Sequence, residues 1–151
     1  MPIDPALASQ IQLRALVSAL LDEFSHRTNS GASIASLLHP DAAFETPRGV
    51  VQGREAIVEL FRSLFETRQA AGRKSRHYNA NLVVTTLPDG TIEARSLLVA
   101  LAIEGGQDPK ASQLLGDQID IIAQAENCSV CFKSRKMAPG LMFAMTPERR
   151  P

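Results

Sequence analysis

Arg76-His77-Tyr78-Asn79-Ala80-Asn81-Leu82-Val83-Val84-Thr85 follows a long amphipathic segment and reads as a β-strand. Side chains alternate between the two faces of a strand, so His77, Asn79 and Asn81 share one face, just ahead of Val83. A face carrying an imidazole and two amides is a poor way to build a core and a reasonable way to line a pocket. Two readings of His77 stand at this level: a cavity residue, with or without acid–base work, or a structural histidine bonded to a neighbouring strand or helix. Asn79 and Asn81 either orient a carbonyl or hydroxyl of a bound molecule or bond nearby backbone at a bulge. Tyr78, of opposite parity, points to the outer surface or a dimer contact.

Upstream of this strand the chain is helical. Asp4-Pro5 supplies an N-cap carboxylate and a proline where its missing N–H costs nothing. Leu13, Leu16, Val17, Leu20, Leu21 and Phe24 then recur at helical spacing, which predicts one long helix ending near Arg27. A short second helix is expected over Ala32 to Leu38. Short strands follow at Asp41 to Thr46 and at Val50-Val51. A third helix starts at Gly53 and carries Ile57, Leu60, Phe61, Leu64 and Phe65 on one face.

Downstream the character is β. Leu87-Pro88-Asp89-Gly90 makes a turn, Ile92 to Ile103 resumes in alternation, and Ser112 to Gln124 and Ser129 to Met137 give two more strands. Helices first and a hairpin-linked sheet afterwards is the α+β pattern. The last residues include Leu141, Met142, Phe143 and Met145, apolar enough to pack on a partner subunit or across a pocket mouth.

With 151 residues the chain fits one domain, able to bury roughly two-thirds of its unfolded surface. Net charge is zero, which gives no electrostatic footprint for nucleic acid or an anionic membrane and eases self-association. Cys128 and Cys131 have C-x-x-C spacing, but no helix follows them and His26, His39 and His77 lie in unrelated segments, so two reduced thiols are expected. Met1-Pro2-Ile3-Asp4 has neither the basic nor the apolar region of a signal peptide, and no apolar run reaches the ~20 residues of a membrane span. A cytoplasmic location is expected.

Five motifs in order, Leu37-Leu38-His39-Pro40-Asp41-Ala42-Ala43-Phe44, Gly53-Arg54-Glu55-Ala56-Ile57, Arg76-His77 with Asn81, Gly116-Asp117-Gln118-Ile119-Asp120, and Ser134-Arg135, resemble the SnoaL-like branch of the nuclear-transport-factor-like superfamily. The resemblance implies a cone-shaped α+β barrel: a curved, mostly antiparallel sheet with three helices from the N-terminal half packed on its concave face. A single domain would span 1–138, with 139–151 as a tail. It also implies a central pocket for a small hydrophobic or polyketide-like molecule.

In relatives of the scytalone dehydratase type, a histidine at the position of His77 moves a proton with the help of an aspartate near the end of the first helix. Here that place falls at Asn29, Phe24 and Gln118 stand where tyrosine is frequent, and Val130 where tryptophan is. Asp120 is then a candidate acidic partner of His77, with Asp22 and Glu23 as further candidates on a helix face that solvent also explains, and His77 and Asp120 form the expected catalytic set. Arg135 is expected to pair with Asp120 or Asp117, or to make a plain surface ion pair. Phe24, Asn29, Phe44, Phe61, Leu64, Asn79, Asn81 and Gln118 form the expected ligand-binding set.

The implied activity is a cofactor-independent dehydration, isomerisation or cyclisation, with no metal and no organic cofactor. Two alternatives stand beside it: a non-catalytic ligand-binding or assembly module, and the small subunit of a ring-hydroxylating dioxygenase. The expected assembly is a homodimer through the sheet face.

Overall fold

The structure, a computed structural model, describes residues 4–105, 110–124, 129–137 and 143–145. Helix α1 spans Pro5–Ser30 and α2 spans Arg54–Ala70, with a 3-10 turn at Ala35–Leu37 between them. The strands are β1 Leu38–Thr46, β2 Gly49–Gln52, β3 Arg73–Thr86, β4 Ile92–Glu104, β5 Lys110–Gln124, β6 Val130–Met137 and β7 Phe143–Met145. Among the described residues, no helix is long and apolar enough to cross a membrane.

The termini of α1 follow from its sequence. The Asp4 carboxylate accepts from the backbone N–H of Ala6 at 2.9 Å, and Gly31 closes the helix in the left-handed conformation. Val17, Leu20, Leu21 and Phe24 are buried and Leu13 packs against them, whereas Leu7, Ile11 and Leu16 are exposed, so it is chiefly the C-terminal half of α1 that seals the core. The segment expected as a second helix is instead the 3-10 turn, and Leu38 already belongs to β1. With six residues between Gly31 and Leu38, which pairs with Phe132 in the sheet, little more than one tight turn fits. The described residues thus form two α-helices, not the three expected.

The sheet runs β2-β1-β6-β5-β4-β3, with β7 pairing β5 beside this path. All pairings are antiparallel except β1 with β6, which is parallel. Among the described residues the sheet stays open, with β2 and β3 at its two ends, and does not form the expected closed barrel. The expected domain end, Ala138, and most of the tail from 139 lie outside the described residues. The three residues of β7 add to the sheet edge-on, opposite Gln113 to Leu115.

The helices cover one face. Phe24, Phe44 and Phe132 are buried there with Ile57, Ile92 and Ile122, and Phe61 packs against them. Phe24 meets Phe61 and Phe132 edge-on, with centroids 5.2 Å apart in both pairs. Such pairs each add about 0.5–1.5 kcal/mol beyond the area they bury.

Strand β3 carries a bulge that the alternation alone does not reveal. Ala80 pairs with Leu97 and Val83 with Arg95, so β3 has one residue more than β4 over this interval. Asn81 takes it up at φ 53, a conformation asparagine tolerates better than most residues. The extra residue reverses the faces: Leu82 and Val84 pack on the core, while Asn81 and Val83 are exposed. The expectation that His77, Asn79, Asn81 and Val83 share a face therefore fails after Asn79.

Gly31 offers a test of the α1 terminus. Its φ is 78°, and a Cβ built there would lie 2.5 Å from Cε1 of Phe65. Gly72 also has positive φ, at 63°, but faces open space. Gly31→Ala is expected to destabilise by about 2–4 kcal/mol, and Gly72→Ala by only about 1 kcal/mol. Urea denaturation of the two variants checks the difference, and equal effects would refute the packing account.

Candidate functional site

A cavity of about 460 Å³ opens between the helices and the sheet. Its walls come from α1 (Phe24, Ser25, Thr28), α2 (Leu60, Phe61, Leu64, Arg68), the β1–β2 hairpin (residues 44–48), and β3 to β6 (His77, Asn79, Leu98, Gln118, Arg135, Met137). The volume is in the range of pockets for small organic molecules, and the mostly apolar wall with few polar groups fits such use.

His77 is set into this wall by the pairing of β3 with β4, which places it opposite Ala100. Its Nδ1 lies 2.8 Å from Oδ1 of Asn29, in the last turn of α1. A carbonyl oxygen only accepts, so Nδ1 carries the proton and Nε2 keeps its lone pair. Burial, reinforced by the positive charges of Arg68, Arg135 and Arg73, pushes the His77 pKa down to about 4. The imidazole is therefore neutral near pH 7.

Arg135 and Asp120 form the second polar feature. They are register partners on β6 and β5. Arg135 donates from Nε to Oδ1 of Asp120 at 2.7 Å and from Nη2 to Oδ2 at 3.1 Å, a two-point contact. Gln118 donates to the same Oδ2 at 2.8 Å. The flat guanidinium stacks over Phe24 and Phe132, with its Cζ 4.2 and 4.4 Å from the ring centroids. Asn79 donates to Ser96 Oγ at 2.9 Å.

Residues 10–120 match the SnoaL-like domain family. The chain belongs to that family. No curated protein matches it in sequence. Among solved structures, a candidate scytalone dehydratase from Novosphingobium aromaticivorans superposes with a TM-score of 0.71 at 17% identity, covering 93% of this chain and 91% of that one. An NTF2-like protein with a cystatin-like fold from the same organism gives 0.69 at 18%, covering 89% and 88%. A type 2 hexachlorocyclohexane dehydrochlorinase gives 0.74 at 12%, covering 94% and 95%. At these identities the likeness shows a shared NTF2-like, cystatin-like fold.

Within this SnoaL-like domain, the structure brings together His77, Asn29, Phe24, Phe44, Phe61, Leu64, Asn79 and Gln118. It does not bring Asn81, which sits exposed at the bulge. Nor does it join Asp120 to His77. That carboxylate is fully buried and bonded to Arg135 and Gln118, while the imidazole is bonded to Asn29. Neighbour parity brings Asp120 to the correct face, but Arg135 directly opposite takes up both of its oxygens.

Cys131 is a free thiol, whereas Cys128 lies outside the described residues. Among the described residues no cluster of His, Cys, Asp and Glu is arranged to hold a metal ion. Arg68 is one of the lining residues that the sequence reading passed over, with Ser25, Thr28, Leu98 and Met137. For Arg68 the signal was present, because Phe61, Leu64 and Arg68 follow one another at i, i+3 and i+7 on the cavity face of α2. Leu98 becomes visible only through its pairing with Asn79.

The depressed His77 pKa has a consequence for stability. Below the ordinary value of 6.5 the unfolded chain takes up a proton at this histidine, whereas the folded chain resists until about pH 4. The contribution of His77 to stability is complete above pH 6.5 and falls as pH drops toward 4, by an amount on the order of 2–3 kcal/mol. His77→Gln is expected to flatten that part of the stability–pH curve, measured by urea denaturation between pH 4 and 7. An unchanged slope would show that the histidine is not neutral in the folded state.

Proposed function

We propose that this SnoaL-like protein binds a small hydrophobic or polyketide-like molecule in the central cavity and transfers a proton on it, as a cofactor-independent dehydratase, isomerase or cyclase. The observation that carries this reading is the geometry of His77: a neutral imidazole on the cavity wall, its Nδ1–H tied to Asn29, leaving Nε2 as a base. For a dehydration, Nε2 takes a proton from the carbon beside the hydroxyl-bearing carbon. The electron pair forms the double bond and expels the hydroxyl, which leaves as water with the proton held by the imidazolium.

A second reading, a binding module without catalysis, is favoured by Asn29. An amide holds the tautomer but does not stabilise the imidazolium, and Arg68 and Arg135 oppose it further. The two readings separate on incubation with hydroxylated aromatic ketones, followed by absorbance and mass spectrometry. On the catalytic reading, product forms, His77→Ala lowers turnover by about a hundredfold or more, and Asn29→Asp raises it. A ligand that is bound tightly and recovered unchanged by both wild type and Asn29→Asp supports the binding module.

We also propose that a second copy covers the outer sheet face. Tyr78, Leu101 and Ile103 are 49%, 41% and 56% exposed there, on the adjoining strands β3 and β4. The zero net charge removes a barrier to such pairing. Light scattering is expected to give a dimer for the wild type and a monomer for Leu101→Lys/Ile103→Lys; an unaltered mass in the variant would reject this face.

A further inference from the structure

The charges around the cavity are not equally balanced. Arg135 is neutralised by Asp120, and Arg73 pairs with Glu104 at 3.4 Å. Arg68 has no carboxylate partner among the described residues. It donates from Nε to the Leu64 carbonyl and from Nη1 to Ser75 Oγ. Two of the five N–H groups of a guanidinium are thereby used, leaving both on Nη2 and one on Nη1. Arg68 is half-buried and lines the same cavity as His77, from α2 rather than from the sheet. The other charged lining residues, Glu45 and Arg48, are exposed at the hairpin rim.

Burial and the neighbouring charge of Arg73 weigh against the Arg68 cation, and Arg68 in turn is the strongest charge acting against protonation of His77. An anion placed at Nη2 would relieve both. Guanidinium groups match carboxylates by two parallel hydrogen bonds, and Phe24, Phe44, Phe61, Leu60, Leu64 and Leu98 supply an apolar part of the same lining for a ring.

Resting on the proposed function, we infer that the ligand is a small aromatic or alicyclic carboxylate whose carboxylate docks on Arg68, and that this ligand charge supplies the countercharge for His77 that Asn29 does not. The ring occupies the phenylalanine-lined space, and the carboxylate reaches the end of the cavity between α2 and β3. The substrate thus completes the catalytic site: the imidazolium formed by proton uptake at Nε2 is stabilised by the ligand in place of an acidic side chain.

The test uses benzoate, 2-naphthoate and 9-anthroate, each against its own carboxamide, titrated into the full chain by calorimetry at pH 7. In parallel, the His77 pKa is followed by NMR of the ring. Each acid–amide pair buries the histidine equally, so a difference within a pair reports charge alone. At least one carboxylate is expected to bind tenfold or more tightly than its carboxamide, with a His77 pKa at least one unit higher than in the carboxamide complex. Arg68→Gln is expected to abolish the preference and Arg68→Lys to retain part of it, with folding of both checked by circular dichroism.

Equal binding within every pair, or a preference that survives in Arg68→Gln, overturns the inference while leaving the cavity as a binding site. Failure of all six compounds to bind overturns it together with the choice of ligand size. Turnover lost in His77→Ala remains a separate measurement, so the two proposals can fail independently.

Discussion

The buried pair of Asp120 and Arg135 fixes more of this structure than any other single contact. Placing a carboxylate out of water costs several kcal/mol unless its lone pairs are met by charge and hydrogen bonds. Here three donors meet it, two from Arg135 and one from Gln118. That requirement ties β5 to β6 in one register and turns the guanidinium flat against Phe24 and Phe132. Phe24 in turn holds the C-terminal half of α1 against the sheet. Asn29 stands five residues further along that helix, so its reach to His77 depends on where the arginine lets Phe24 sit. Loss of one partner would leave the other charged and buried, a much larger penalty than the net value of the pair.

The bulge at Asn81 solves a different problem. A single strand has to present polar groups to a cavity over one half and apolar groups to a core over the other. Regular alternation offers only one choice of parity. With one inserted residue, His77 and Asn79 line the cavity from odd positions, and Leu82 and Val84 enter the core from even ones. The left-handed conformation at Asn81 costs about 1 kcal/mol or less for asparagine, small against the burial of two aliphatic side chains. A polar strand thereby contributes to both compartments.

Much of the fold is legible in the residues. The α1 stripe of Val17, Leu20, Leu21 and Phe24 and the positions of strands β3 to β6 fall near where periodicity places them, and Asp4 caps α1 as its side chain allows. The pairing of His77 with Asn29 followed from resemblance, since the two lie 48 positions apart and no spacing rule connects them. What the residues did not show is non-local. An open sheet and a closed one have the same strand pattern. The bulge depends on how β3 meets β4. Arg135 was legible as a partner of Asp120 or of Asp117, and only the register of β5 on β6 decides for Asp120 and so removes it from His77. Arg68 was hidden for a chemical reason: a helix-end arginine is ordinarily solvated, and the neighbouring cavity is what gives meaning to its having no carboxylate partner among the described residues.

The electrostatics of His77 bear on which proton transfers such a site would favour. A base whose conjugate acid has a pKa of about 4 is fully available at pH 7 but accepts a proton weakly. An aspartate in place of Asn29 would raise that value through an opposite charge next to Nδ1–H; the amide gives orientation without charge. On the proposed function, the unaided imidazole would act only on carbon acids already activated by a carbonyl or an aromatic system. A ligand that brings its own anion changes the balance, because the same charge satisfies Arg68 and favours the imidazolium. Basicity would then exist only in the complex, and the empty site would hold a neutral histidine with little tendency to exchange protons with solvent. Selectivity would arise from the same interaction as activation, since a neutral molecule of equal shape would fill the cavity and leave the base weak.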